Sequence, residues 1–316
     1  MNYSRLAAFV LAAAAAGPPT LAALRQEAAP TRSTRPADVA SPLLRDVRLI
    51  GASATDGFGN ASELGTEGNV PLATFLSACL SDANAGVRLS EKSTSQFFMA
   101  PTVIGARQVT WARRGEPSLV VALDFLFWYG CGVDRQRDPR RMTGLEKGLQ
   151  WLETIDCPLI IGTIPDVTHA LDGKGPLGGP IIHFFQLPSE EDRLAMNARI
   201  LEWASERQNV AVVDLSASFH AIVAGEAIEI RGQTWEVGDV TDALQPDFLH
   251  PNVDGSVMTA LSVADAIARL EGAGPADFVF DCAVVKQRAL ERIEPLRERH
   301  AARMAARARR AAARGK

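Results

Sequence analysis

The chain has 316 residues, 47% of them hydrophobic and 22% charged, with four cysteines and a formal net charge of −4. These values sit near the globular average and exclude a disordered chain, a collagen and a disulfide-stapled mini-protein. The acidic balance also argues against a nucleic-acid partner.

The first 23 residues read as a secretory signal peptide. Arg5 precedes an uninterrupted apolar run, Leu6 to Ala16, too short to span a bilayer as a standard helix. Gly17, Pro18 and Pro19 break it, and small residues around Thr20, Ala22 and Ala23 offer a cleavage site. The competing reading is a buried Ala-rich helix. The signal predicts an exported protein, periplasmic or extracellular. Residues 24–44, rich in Ala, Pro, Ser, Thr and Arg without periodicity, are expected to form a flexible spacer.

Apolar strands then alternate with helical stretches. Val47 to Ile50, Gly86 to Leu89, Ser118 to Leu123, Pro158 to Ile161 and Val210 to Val213 are the expected strands. Several are continuous apolar runs, the pattern of strands buried on both faces. Helical patterns occupy Leu72 to Leu80, Gly144 to Thr154, Glu190 to Arg207 and Ser256 to Leu270. This alternation implies a parallel sheet covered by helices on both faces. Asp281 to Arg314 is expected to form one or two long helices, interrupted near Pro295. Residues 297–316 hold eight Lys/Arg and one Glu, a net +7, which leaves −11 on the remainder. This basic tail is expected either to be a solvated helix or to contact an anionic surface. The domain division that follows is 1–23, 24–44, a globular body at 45–272 and a tail at 273–316.

Ligands of open parallel sheets bind beyond the carboxyl ends of the strands. Two loops there carry chemistry. Gly51-Ala-Ser53-Ala-Thr55-Asp56-Gly57 follows the first strand, so Ser53 sits in a strand-to-helix turn. There its hydroxyl projects and its own N–H lies near a helix N-terminus, which suits a nucleophile that must form an oxyanion. The glycine spacing fits neither a dinucleotide fingerprint nor a Walker loop. Asp247-Phe-Leu-His250-Pro251-Asn252 places an acid three residues before a histidine, where it can fix the imidazole tautomer and stabilise the imidazolium. His169, His183, His220 and His300 have no such context and are assigned no role. Asp56 reads as a helix N-terminal carboxylate, and Asp166 and Asp214 have no partner that the sequence names.

Asp247-x-x-His250-Pro251-Asn252-x-x-Gly255 resembles the last signature block of the SGNH (GDSL-type) hydrolases. Gly51-x-Ser53-x-Thr55-x-Gly57 resembles their first block, and the order Ser, Asp, His fits. Pro158 to Pro165 and Asn197 to Leu215 fit less specifically, so the resemblance spans roughly residues 45–270. It implies a three-layer α/β/α sandwich with a five-stranded parallel sheet, and metal-free, cofactor-free hydrolysis of small-molecule esters. Carried over by position, Ser53 would be the nucleophile, His250 the general base and acid, Asp247 its orienting carboxylate, and the Ser53 N–H an oxyanion donor.

The departures are informative. Ala52 replaces the family's Asp, at no chemical cost. Ser90 to Phe98, where the family supplies a Gly donor, has no glycine. The third strand exits through Asp124 to Gly132 without the usual Asn. Two of three oxyanion donors are therefore unidentified. Asp124 either serves the site or has a structural role, capping a turn or pairing with an Arg; Trp128 and Tyr129 either line a pocket or pack in the core or at the rim.

Cys79, Cys131, Cys157 and Cys282 are scattered without a CxxC pair, which argues against a zinc site. They are either disulfide partners in an exported protein or buried thiols. The leading expectation is thus an exported serine esterase acting on small acyl esters of carbohydrates or other small molecules. An O-acyltransferase would use the same triad. A non-catalytic sugar- or lipid-binding module would explain the missing donors, and a flavin-binding electron carrier would share the hydroxyl-rich first loop and the layout but leave the Asp247-to-Gly255 block unexplained.

Overall fold

Alternation along each strand sorts the side chains to two faces of the sheet. In β1 (Asp46–Gly51), Val47 and Leu49 join one buried cluster and Ile50 joins the other. In β3 (Leu119–Ala122), Leu119 and Val121 pack with the first cluster, Val120 and Ala122 with the second. Both faces are covered, which is why β3 and β4 (Leu159–Gly162) read as unbroken apolar runs. With β2 (Arg88–Ser93) and β5 (Val210–Val213) they form a parallel five-stranded sheet in the order β2-β1-β3-β4-β5. The chain leaves β1 towards β2 and returns to the other side as β3, so the topological switch lies between β1 and β3. Crevices at such switch points are where open α/β sheets bind ligands.

The computed structural model describes residues 39–132, 139–176 and 178–314, with side chains to 312. The expected signal peptide, and the spacer up to residue 38, lie outside the described residues. The helices, in chain order, are α1 (Ser53–Asp56), α2 (Ala61–Leu64), α3 (Leu72–Cys79), α4 (Pro101–Ala112), α5 (Phe127–Gly130), α6 (Arg140–Leu152), α7 (Glu190–Ser205), α8 (Leu215–Ala224), α9 (Val253–Ile267) and α10 (Cys282–Arg314). A small hairpin, β6 (Ile228–Ile230) and β7 (Gln233–Trp235), follows α8. Buried residues of α3, α9 and α10 form one layer with the sheet, and those of α4, α6 and α7 form the other. The architecture is a three-layer α/β/α sandwich.

Several boundaries differ from the sequence reading. The second strand begins at Arg88 and runs on to Ser93, because it pairs with β1 residue by residue from Asp46↔Arg88 to Gly51↔Ser93. As an edge strand it carries Arg, Ser, Glu and Lys, so no apolar run marks it. α9 starts at Val253, three residues early, because the Asn252 side chain caps it by accepting from Gly255 N (2.9 Å). The C-terminal helix is not interrupted at Pro295. The bond that Pro295 forfeits is one, at the exposed turn of Glu291, while Ile293 beside it is buried in the core.

The division at residue 272 also shifts. Val285, Ala289 and Ile293 of α10 are buried with α3 and α9, so this helix begins as part of the body. Polar bonds stitch the same edge. Asn84 accepts from Ser41 N (2.9 Å) and donates to the Asp277 carboxylate (3.0 Å). Ser41 Oγ donates to the Gly272 carbonyl (2.7 Å), and Arg288 to that of Leu80 (3.0 Å). Among the described residues no helix is long and apolar enough to cross a membrane.

Candidate functional site

The loop between β7 and α9 is built around Asp247. Phe248 takes a positive φ of 54°, an uncommon conformation for a bulky residue, and this folds the chain back over the carboxylate. Asp247 Oδ1 then accepts from the backbone N–H groups of Leu249 and His250, both at 3.0 Å. Oδ2 lies 2.8 Å from His250 Nδ1. Both side chains are about 95% buried. Burial alone would push the Asp247 carboxyl up; the bonds and charge of His250, with the backbone donors, outweigh it and hold it below the ordinary carboxylate range. An ionised acceptor at Nδ1 means that Nδ1 carries the proton. His250 Nε2, the other ring nitrogen, is buried and has no hydrogen-bond partner among the described residues.

The Ser53 turn is held by residues distant in sequence. Asp124, at the exit of β3, accepts from Ala52 N (2.8 Å), Ala54 N (2.8 Å), Thr55 N (3.2 Å) and Thr55 Oγ1 (2.6 Å). Its carboxylate thus takes the N–H groups on both sides of Ser53 and passes over that of Ser53 itself. Asp124 therefore caps the turn, the structural one of its two expected roles. Gln108 of α4 clamps Gly51 from below, accepting from its N–H (3.0 Å) and donating to its carbonyl (2.8 Å). A Cβ on Gly51 would overlap Asp124 Oδ1 and Thr55 Oγ1, so only glycine permits this approach.

The two loops are joined directly. Gln245 donates to the carbonyls of Phe58 (2.7 Å) and Pro251 (2.9 Å). The Phe58 ring lies 4.7 Å from that of His250, centroid to centroid. Ser53 and His250 line one cavity of about 90 Å³, walled mainly by apolar side chains that include Leu123, Phe127, Leu215, Phe219, Ile222 and Met258. No hydrogen bond joins Ser53 Oγ to His250 Nε2, although both residues line the cavity.

The remaining candidates fall outside this cavity or serve as caps. Trp128 and Tyr129 are core residues, and it is Phe127 that reaches the cavity. Asp56 accepts from Ser95 N (3.1 Å) and Asn69 Nδ2 (3.1 Å). Asp214 caps α8, accepting from Ala217 N (3.0 Å) and Thr163 Oγ1 (3.0 Å), and Asp166 caps a turn at Thr168 N (3.0 Å). His169, His183, His220 and His300 do not line it. All four cysteines are free thiols; burial pushes Cys131 up to about 12, which makes it unreactive. Among the described residues no three or more His, Cys, Asp or Glu side chains converge to hold a metal ion. Gln245, Gln108 and Phe58 carried no sequence signal, since their partners are set by packing.

No protein-family model matches the chain, and no curated protein matches it. Among solved structures it is similar to a candidate acylhydrolase from Bacteroides fragilis NCTC 9343, at 14% identity and TM-score 0.41, over 72% of this chain and 89% of that one. It is similar to a catalytic mutant of an acetylxylan esterase from Geobacillus stearothermophilus, at 16% identity and TM-score 0.41, over 75% and 98%. A third is a gut microbial diltiazem-metabolizing enzyme, at 13% identity and TM-score 0.42, over 73% of this chain and 49% of that one.

Proposed function

We propose that the protein is an exported serine ester hydrolase that works through Ser53, His250 and Asp247. The observation that carries this reading is the buried Asp247–His250 pair, with Nε2 unpartnered among the described residues, in a histidine that lines the same cavity as Ser53. The residue pattern of both loops, which resembles the SGNH hydrolases, supports it further.

In this mechanism Ser53 Oγ attacks the acyl carbon while His250 Nε2 takes its proton. Asp247 holds the ring in the Nδ1–H tautomer and stabilises the imidazolium. The Ser53 N–H, left out of the Asp124 bonds, donates to the oxyanion. His250 then protonates the leaving alcohol, and water repeats the sequence on the acyl-enzyme. The apolar cavity of about 90 Å³ suits a short acyl group. Among alcohols, hydroxyls of carbohydrates or other small molecules suit an exported enzyme.

The test is release of p-nitrophenol from the acetate and butyrate esters. Ser53→Ala and His250→Ala should each lower kcat by at least about 10⁴-fold, and Asp247→Asn by about 10⁴-fold with the fold intact. Turnover that survives in the Ser53→Ala protein would sink the assignment. One observation favours a second reading, a binding module: Asp124 stands where the oxyanion donor of the third block was expected. That reading requires a folded protein without turnover that still binds sugar esters.

A further inference from the structure

The sheet edge formed by β2, next to β1, carries a charge pattern that the triad does not use. Residues 86–115 hold five Arg/Lys and one Glu, in a chain whose net charge is −4. The alternation of β2 sends Arg88, Ser90 and Lys92 to the side on which α4 lies, and Glu91 to the other. Across from them stand Arg107, Trp111 and Arg114. Two adjoining open depressions, about 600 and 260 Å³, share Trp111 and Arg114 and join into one groove between β2 and α4.

The neighbouring ions sort into used and unused. Arg48 pairs with Asp46 at 3.0 Å and supports Trp111, its guanidinium 5.5 Å from the ring centroid. Arg113 points towards Asp156 at 4.0 Å. Arg88, Lys92, Arg107 and Arg114 are exposed and make no ion pair among the described residues. Asp46, the carboxylate in the groove wall, is already neutralised by Arg48. From Arg88 to Lys92 the strand covers on the order of 13 Å, so the cations are strung along a line rather than gathered at a point.

We propose that this groove binds a polyanionic polysaccharide and delivers its acylated hydroxyls to Ser53. A row of unpaired cations with one half-buried indole fits carboxylate- or sulfate-bearing sugar rings. The cations meet the anions, Trp111 meets a ring face, and the Ser90 hydroxyl supplies a hydrogen bond. Single-stranded nucleic acid would call for several exposed stacking aromatics, and the groove has one. The groove also leads to the site. Lys92 pairs with Ile50 in the β-ladder, and Ser53 follows Ile50 by three residues, on the order of 10 Å away. Just past Lys92, Thr94 N donates to the Gly51 carbonyl (3.3 Å) and Ser95 N to Asp56 (3.1 Å), so the upper end of the groove is bonded to the Ser53 turn. Delivery to Ser53 rests on the esterase reading; binding in the groove does not.

The binding test uses affinity electrophoresis of the full Ser53→Ala chain through gels holding polygalacturonate, neutral dextran or poly(U) RNA, each read against a polymer-free gel. Polygalacturonate should retard the protein and dextran should not, with retardation fading as salt rises. Arg107→Glu with Arg114→Glu should weaken retention by at least about tenfold, while Arg299→Glu with Arg303→Glu in the basic tail should leave it unchanged. Loss of retention in the tail variant instead, no retention at all, or equal retention by poly(U) would each overturn the groove. With Ser53 intact, the groove variant should lose at least about tenfold in kcat/KM on O-acetylated polygalacturonate and keep its p-nitrophenyl acetate turnover. If the wild-type chain is retarded but hydrolyses neither ester, the groove stands and the esterase reading falls.

Discussion

A carboxylate beside a group that must stabilise negative charge is unfavourable unless its own charge is fully engaged. Asp124 meets that condition with three backbone N–H groups and the Thr55 hydroxyl. Removing it orphans the start of α1. Asp124→Ala should destabilise the fold by about 2–4 kcal/mol, at the usual worth of hydrogen bonds to a charged group, and lower Tm by roughly 5–10 °C in a thermal melt. An unchanged Tm would show that the turn holds itself. The contrast with Asp247 explains what was readable. Asp247 and His250 are three residues apart and declare their relation locally. Asp124 reaches residues about 70 positions away, and only the adjacency of β1 and β3 brings them together. Gln245 is hidden for the same reason, since its side chain spans 187 residues to Phe58.

Elements were legible in proportion to how fully their pattern records their burial. β3 and β4 are buried on both faces and announce themselves as apolar runs; β5 reads as one too although it is a half-buried edge strand, and β1 is apolar apart from Arg48. β2 has one partner, and its polar register with β1 cannot be read from composition. α4 mixes Gly105, Gln108 and Thr110 into its twelve residues, because one side meets the clamp on Gly51 and the other the groove. β2 also carries a titration signature. Burial pushes the Glu91 carboxyl up to about 7; the Ser93 hydroxyl bond opposes this, and the charges of Asp56 and Asp124 add to it. The folded state therefore keeps a proton that the unfolded chain has already lost, so stability falls as pH rises from the ordinary carboxylate range through about 7. Asp247 has the opposite sign. Its lowered carboxyl contributes stability above the ordinary Asp range, lost as pH falls below it. Thermal melts between pH 5 and 8 should show Tm declining with pH, and Glu91→Gln should flatten the slope; an equal slope in the variant would refute this account.

At the scale of the molecule, α10 does two different things along its length. Up to Ile293 it is a core helix, and from residue 297 it is almost wholly exposed, with a surface ion pair from Arg303 to Glu67. Such pairs contribute about 0–1 kcal/mol. Deleting residues 297–316 should therefore leave Tm within about 2 °C of the full chain. Deleting 282–316 uncovers Val285, Ala289 and Ile293 and should cost at least about 4 kcal/mol. Comparable melts for the two truncations would contradict this division.

The position of α10 also sets an order of events during biosynthesis. A ribosome releases β1 and α3 early, yet the layer that covers them is made of α9 and α10, the last described helices to be translated. Until they arrive, the Val47, Leu49 and Phe75 face is only partly covered, and exposed faces of this kind recruit chaperones or one another. Ser53 and His250 likewise meet only when α9 is in place. A half-made chain therefore holds Ser53 without His250, and under the proposed function it stays inert until nearly all of it has been synthesised.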